Sequence, residues 1–278
     1  MSGNHLDNKS IIVTGAAGGF GQRLCRDLIA KGAQVAALDL DNPALDALAT
    51  ELDAGASLLT IPTDVTDLAA MRAAVAQTTT AFGAVDVIVN NAGVMPLAFL
   101  ADHSAAADAW SRCIDINIKG VLNGMIAVHD QMMTQGHGHI VNLSSIYGNA
   151  PVVGAAVYGA TKAAVNTMSE AVRVETQGKI KVTIVKPTGV PATGLGSGVI
   201  NPAATIGILG QNAAEYTEVF AALAEGRVDD IDLDPASIGY AVLDPQHIVD
   251  QIVYAVDQPW GVSIGDITIR AAGDRYVL

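Results

Sequence analysis

The sequence predicts an α/β protein in which a parallel β-sheet carries helices on both faces. Three observations lead there. Short strand-like runs alternate with helical stretches from Ser10 to Arg270. The first run is closed by a glycine cluster that opens a helix. Polar groups then stand at strand ends, at Asp39, Asp64 and Asn90-Asn91, where ligands bind in such sheets. The 278 residues suit one α/β domain, since such folds commonly run to about 250. With no internal repeat, low-complexity tail or linker, one domain over residues 1–278 is expected.

Taken in order, Ser10 to Thr14 is a β-branched run that reads as a buried strand. Gly15-Ala16-Ala17-Gly18-Gly19-Phe20-Gly21 leads into a helix over Gln22 to Lys31, with Leu24, Leu28 and Ile29 on one stripe. Backbone N–H groups and a positive helix end then converge on one spot, a ready site for a pyrophosphate. Gly15, Gly19 and Gly21 allow a tight turn and close approach, with Ala17, Gly18 and Phe20 completing the cradle. The second strand, Gln34 to Leu38, ends at Asp39, eighteen residues after Gly21. A carboxylate there, with Leu40 beside it, suits the two ribose hydroxyls of adenosine and repels a 2′-phosphate. No Lys or Arg stands in the glycine loop or directly after Asp39, so NAD is expected in preference to NADP.

A helix over Pro43 to Leu52 precedes a third strand, Ser57 to Thr63, which stops at Asp64-Val65. A helix over Leu68 to Phe82 precedes the strand Val85 to Asn90, and Asn90-Asn91-Ala92-Gly93 turns the chain at that strand's carboxyl end. Ala105 to Met133 reads as one long helix, in which Asn117 sits among apolar residues and needs partners: a helix irregularity or a bound water. His137 and His139 precede a fifth strand and lack a third metal ligand, so no metal is expected. After the strand Lys181 to Val185, residues 188–210 are rich in Gly, Pro and Ala, the composition of a lid. The lid, continued to about residue 235, offers Val190, Leu195, Val199, Ile200, Ile206, Ile208 and Leu209, which suggests an apolar substrate. Helices over Ala213 to Glu225 and Pro245 to Val256 and a strand over Asp266 to Arg270 complete the chain.

Ser145 lies thirteen residues before Tyr158, and Lys162 four after it. On a helix over Gly154 to Gln177, Tyr158 and Lys162 share a face one turn apart. An ammonium beside a phenol favours the phenolate and makes it usable as an acid or base near neutral pH. Ser145, leaving a strand end, is placed to hold the reacting oxygen.

Bulk properties exclude other classes. A net charge of −13 argues against a nucleic-acid surface, which needs clustered Lys and Arg. The two cysteines, Cys25 and Cys113, form no disulfide framework or metal spacing, which fits a reducing compartment. The polar start of the chain lacks a signal-peptide core, and no apolar run reaches the roughly 18 residues of a membrane span. A cytoplasmic protein with no membrane partner is expected.

These motifs together resemble the single-domain branch of the short-chain dehydrogenases/reductases. The likeness rests on Thr14-Gly15-x-x-x-Gly19-x-Gly21, Asp64-Val65, Asn90-Asn91-Ala92-Gly93, Asn117, Ser145 and Tyr158-x-x-x-Lys162, in that family's order. The resemblance implies a Rossmann-type, doubly wound sheet of seven parallel strands in the order 3-2-1-4-5-6-7, assembled as a homotetramer or homodimer. It implies Tyr158 as catalytic acid/base and Ser145, rather than Ser144, as the group polarising the substrate oxygen. Lys162 would bind the nicotinamide ribose and depress the Tyr158 pKa, and Asn117 would hold a water linking Lys162 to solvent. Asp64 and Val65 would meet adenine, and Asn91, Ala92 and Gly93 the adenosine ribose side. Pro187-Thr188-Gly189 is one residue longer than the family's Pro-Gly; Pro187, Gly189, Val190 and Thr193 are carried over to the cofactor. Lys186 is unusual there; pointing into the site, it would bind an acidic substrate group.

The activity so implied is NAD-dependent oxidation of a hydrophobic secondary alcohol, or reduction of its ketone, in a pocket that includes Met95, Tyr147, Val153 and Leu195. The other enzymatic reading is a reductase of 3-oxoacyl or similar carbonyls. A non-catalytic NAD-binding sensor or scaffold is the reading from a different class, and such a protein would be expected to lose the Tyr or the Lys.

Overall fold

Seven strands form one sheet. In the computed structural model, which describes residues 4–190, 193–214, 218, 225, 227 and 232–278, these are β1 (Ser10–Thr14), β2 (Gln34–Asp39), β3 (Leu58–Pro62), β4 (Val87–Asn90), β5 (Gly138–Leu143), β6 (Ile180–Pro187) and β7 (Asp266–Ile269). Their order is β3-β2-β1-β4-β5-β6-β7, with every pairing parallel. Between them run α1 (Gly19–Ala30), α2 (Asn42–Leu52), α3 (Leu68–Phe82), α4 (His103–Ile114), α5 (Val121–Gln135), α6 (Ala156–Glu175) and α7 (Pro245–Val256).

The pleat sends alternate side chains of β1 to opposite faces. Ile11 and Val13 join Leu24 and Leu28 of α1 and Ile248 and Ile252 of α7. Ile12 joins Met71 of α3 and Val121, Met125 and Val128 of α5. Both faces are therefore buried, which is why the strands read as apolar runs. Strand order reverses between β1 and β4, and the crevice at their carboxyl ends is where ligands bind in such sheets.

The expected helix over 105–133 is observed as α4 and α5 joined by a π-helical turn, Asp115–Gly120. Asn117 is fully buried at that turn, and its amide takes both backbone groups of Val94, so the irregularity expected of it is present. Gly124 lets α5 lie on Asn90, whose Oδ1 would stand 2.0 Å from a Cβ there. The region after β6 is a series of 3-10 turns, Leu195–Gly198, Pro202–Ile208 and Gly210–Asn212. The expected helix over 213–225 lies mostly outside the described residues. Among the described residues no helix is long and apolar enough to cross a membrane.

Candidate active site

The glycine loop joins β1 to α1. Gly15 (φ +63°) and Gly19 (φ +47°) hold left-handed conformations that a side chain would strain. A Cβ on Gly19 would stand 2.6 Å from Thr193 O, and one on Gly21 2.1 Å from Gly15 O. Gly21 is thus a packing glycine that seats α1 on the loop. Helices α2, α3 and α7 are each capped by an aspartate side chain, whereas α1 starts at Gly18 with no side-chain cap and no acidic residue in its first turn. Those amides are left for an outside anion, which is what a pyrophosphate needs. The chain thus fits a dinucleotide on its own geometry.

A cleft of about 1030 Å³ runs from this loop along the carboxyl ends of the strands, at the upper end of the ~300–1,000 Å³ usual for ligand sites. Gly15, Gly18, Gly19, Phe20, Asp39, Leu40, Asp64, Val65, Asn91, Ala92 and Gly93 line one part. Met95, Ser145, Tyr147, Tyr158, Lys162, Pro187, Gly189, Val190, Thr193 and Leu195 line the rest. Asp39 is held in place by the Ala17 N–H (3.0 Å) and the Asp41 N–H (3.1 Å). Asn91 donates to Thr14 O (2.9 Å) and Gly15 O (3.0 Å), so its side chain ties β4 to β1 and shapes the wall.

Ser145, Tyr158 and Lys162 are all buried. Ser145 caps the turn Ile146–Gly148, and Ser144 turns away to donate to Lys162 O (3.2 Å). Lys162 Nζ donates to Leu143 O (2.8 Å) and stands 5.8 Å from the Tyr158 ring centroid. The electrostatics correct the expectation from spacing. Burial pushes the Tyr158 hydroxyl well above its ordinary range, and a hydrogen bond with Ser145 offsets only part of that. Burial likewise pushes Lys162 down to about 8. In a dry site the charged form of each group is penalised.

Asn117 Nδ2 also donates to Thr161 Oγ1 (3.1 Å) and Cys113 Sγ (3.3 Å). Its amide thereby ties the turn to Val94 and to Thr161 of α6. The expected substrate contact of Val153 is not formed, and the condition set for Lys186 is not met. Val153 is 70% exposed and outside the cleft, because its carbonyl packs against Gly207 and its side chain faces out. Lys186 pairs with Asp266 (2.5 Å) on the neighbouring strand β7 and does not enter the site. Ile200 and Ile206 are not among the lining residues either. Conversely, Arg112, Ile116, Val242 and Tyr276 line the cleft and escaped the sequence reading. The tail residue Tyr276 covers Gly189, where a Cβ would meet its hydroxyl at 1.7 Å. No local spacing signals a residue that arrives from so far along the chain. Among the described residues no group of three or more His, Cys, Asp or Glu stands together to hold a metal.

A doubly wound parallel sheet, an uncapped helix start under a glycine loop, and a buried Ser–Tyr–Lys set at the far end of the same cleft define a dinucleotide-dependent oxidoreductase. The chain matches the model of the short chain dehydrogenases over residues 9–201 and belongs to that family. It is 33% identical over 267 residues to the glycine betaine reductase ATRR of Emericella nidulans, covering 95% of this chain but 19% of that protein, so it spans about a fifth of that relative's length. An uncharacterised oxidoreductase of Staphylococcus aureus is 29% identical over 95% of this chain and 98% of its own. A serine dehydrogenase solved in closed form with NADP+ superposes with a TM-score of 0.76 at 28% identity, over 96% of this chain and 97% of that one.

Proposed function

We propose that the protein interconverts a hydrophobic secondary alcohol and its ketone, with Tyr158 as acid/base and NAD as cofactor. The observation that carries this is the convergence of Ser145, Tyr158 and Lys162 on the cleft that begins at the glycine loop. The loop and α1 would hold the pyrophosphate, Asp39 the adenosine ribose, and Lys162 the nicotinamide ribose. When bound, oxidised nicotinamide supplies the hydride acceptor and a positive charge beside the phenol. Ser145 orients the reacting oxygen, and Tyr158 takes or returns its proton. Burial keeps bulk water from competing for that proton.

The NAD preference is supported by Asp39 at the end of β2, whose negative charge opposes a 2′-phosphate. The serine dehydrogenase relative was solved with NADP+, so the preference rests on this carboxylate and on the lack of a Lys or Arg in the glycine loop or directly after Asp39. The apolar lining by Met95, Leu97, Tyr147, Leu195, Val199 and Ile208 supports a hydrophobic substrate. A homotetramer or homodimer and a cytoplasmic location belong to the same reading.

Tyr158→Phe tests it. Turnover of ketones with NADH should be lost, while NADH binding by fluorescence stays within a few fold. Turnover persisting in that variant removes Tyr158 from the chemistry; a wild-type protein that binds NADH yet turns over no ketone is a sensor or scaffold.

A further inference from the structure

Helix α4 runs beside residues 94–99, and hydrogen bonds set the register between them. Asn117 and Cys113 bond Val94, Trp110 Nε1 donates to Pro96 O (3.1 Å), and Asp102 accepts from the Phe99 N–H (2.9 Å). Moving toward the amino end of α4 is therefore moving toward the lid. There Ile200 and Asn201 donate to Leu97 O (3.1 Å each), and Asn201 Nδ2 donates to Asp102 (2.9 Å). In the opposite direction Gly120 and Asn123 abut Val65, at the adenosine end. Arg112, between Cys113 and Trp110, stands level with Met95 on the lid side, roughly 12 Å along the helix from Gly120.

Arg112 is an exposed residue among those lining the cleft, and its side chain makes no ion pair or hydrogen bond among the described residues. Asp115, three residues on, pairs with Lys119 instead (3.6 Å). The other charged groups of the cleft are committed: Asp39 and Asp64 at the adenosine end, Lys162 on Leu143 O. With 28 acidic residues against 15 Lys and Arg in the chain, carboxylate partners are not scarce. A guanidinium presents a planar fork of donors matched to a carboxylate's two oxygens. We propose that Arg112 is a specificity-determining residue that receives a carboxylate of the substrate. The alcohol or ketone taken by the cleft is then an apolar hydroxy or oxo acid. This rests on the oxidoreductase reading above and narrows its substrate class.

The test compares medium-chain hydroxy acids with their methyl esters, using NAD, in wild type and in Arg112→Gln and Arg112→Lys. Wild type should favour acid over ester by about tenfold or more in kcat/KM, the scale of one charge-assisted contact. Arg112→Gln should erase that preference through KM for the acid, and Arg112→Lys should restore part of it. As a readout apart from turnover, octanoate should stabilise NAD-bound wild type against heat more than it stabilises Arg112→Gln, with octanol treating the two alike. Equal use of acid and ester by wild type, or an unchanged preference in Arg112→Gln, overturns the proposal. So does an effect confined to NADP over NAD, which would give the guanidinium to a cofactor phosphate. Octanoate stabilisation that depends on Arg112, with no turnover of any compound, would instead sink the oxidoreductase reading and leave the anion site standing.

Discussion

Burial decides the resting state of the reacting groups. Tyr158 and Lys162 share a dry pocket, and each is driven toward its neutral form, the phenol up and the amine down to about 8. Their spacing alone suggests the opposite for the tyrosine, because a one-turn separation says nothing about what surrounds the pair. Asp39 is a case where the position in sequence was sufficient: it ends β2 and lines the cleft. Asp39→Ala should therefore narrow the ratio of kcat/KM for NAD over NADP by about tenfold, as expected for losing one charge–charge repulsion. A ratio that does not move takes Asp39 out of cofactor choice.

At the next level up, an element end and a helix defect do the positioning. Helix α1 keeps its first turn free of side-chain acceptors, and Gly19 stands where any Cβ would strike the Thr193 carbonyl. Gly19→Ala should raise the Kd for NADH by tenfold or more, with stability falling by ~1–2 kcal/mol for the left-handed backbone. Fluorescence titration and urea unfolding separate the two effects, and an unchanged Kd would show that the loop is not the phosphate cradle. The π turn between α4 and α5 has a different origin. Asn117 must reach both polar groups of Val94, and the extra residue in the turn lets it; such bulges collect at functional sites. The sequence flagged a buried amide in need of partners, but not which backbone it would find.

For the molecule as a whole, the sheet order creates the crevice, and residues between 193 and 209 together with Tyr276 of the tail line it. Exposed Ile114, Leu122 and Ile126 lie on α4 and α5, an apolar stripe of the kind that a second copy would cover. Light scattering should give a dimer or tetramer, and Ile126→Glu should shift it toward smaller species; a wild-type monomer at micromolar concentration contradicts that assembly. The tail is held by Arg270, which bonds Asp274 and the Tyr276 carbonyl, so that Tyr276 reaches the site from the last turn of the chain. The place of Tyr276 was not legible in the sequence, since residues 189 and 276 are brought together only once β6 and β7 have paired.

Pattern alone determined the strands, most helices, the glycine loop and the Ser–Tyr–Lys set, because each depends on local periodicity or a fixed offset. Packing decided the rest: that Val153 faces outward, that Lys186 is neutralised by Asp266, that Arg112 and Tyr276 reach the cleft. Those outcomes depend on which distant groups share a space, and the charge a buried group carries depends on what that space excludes.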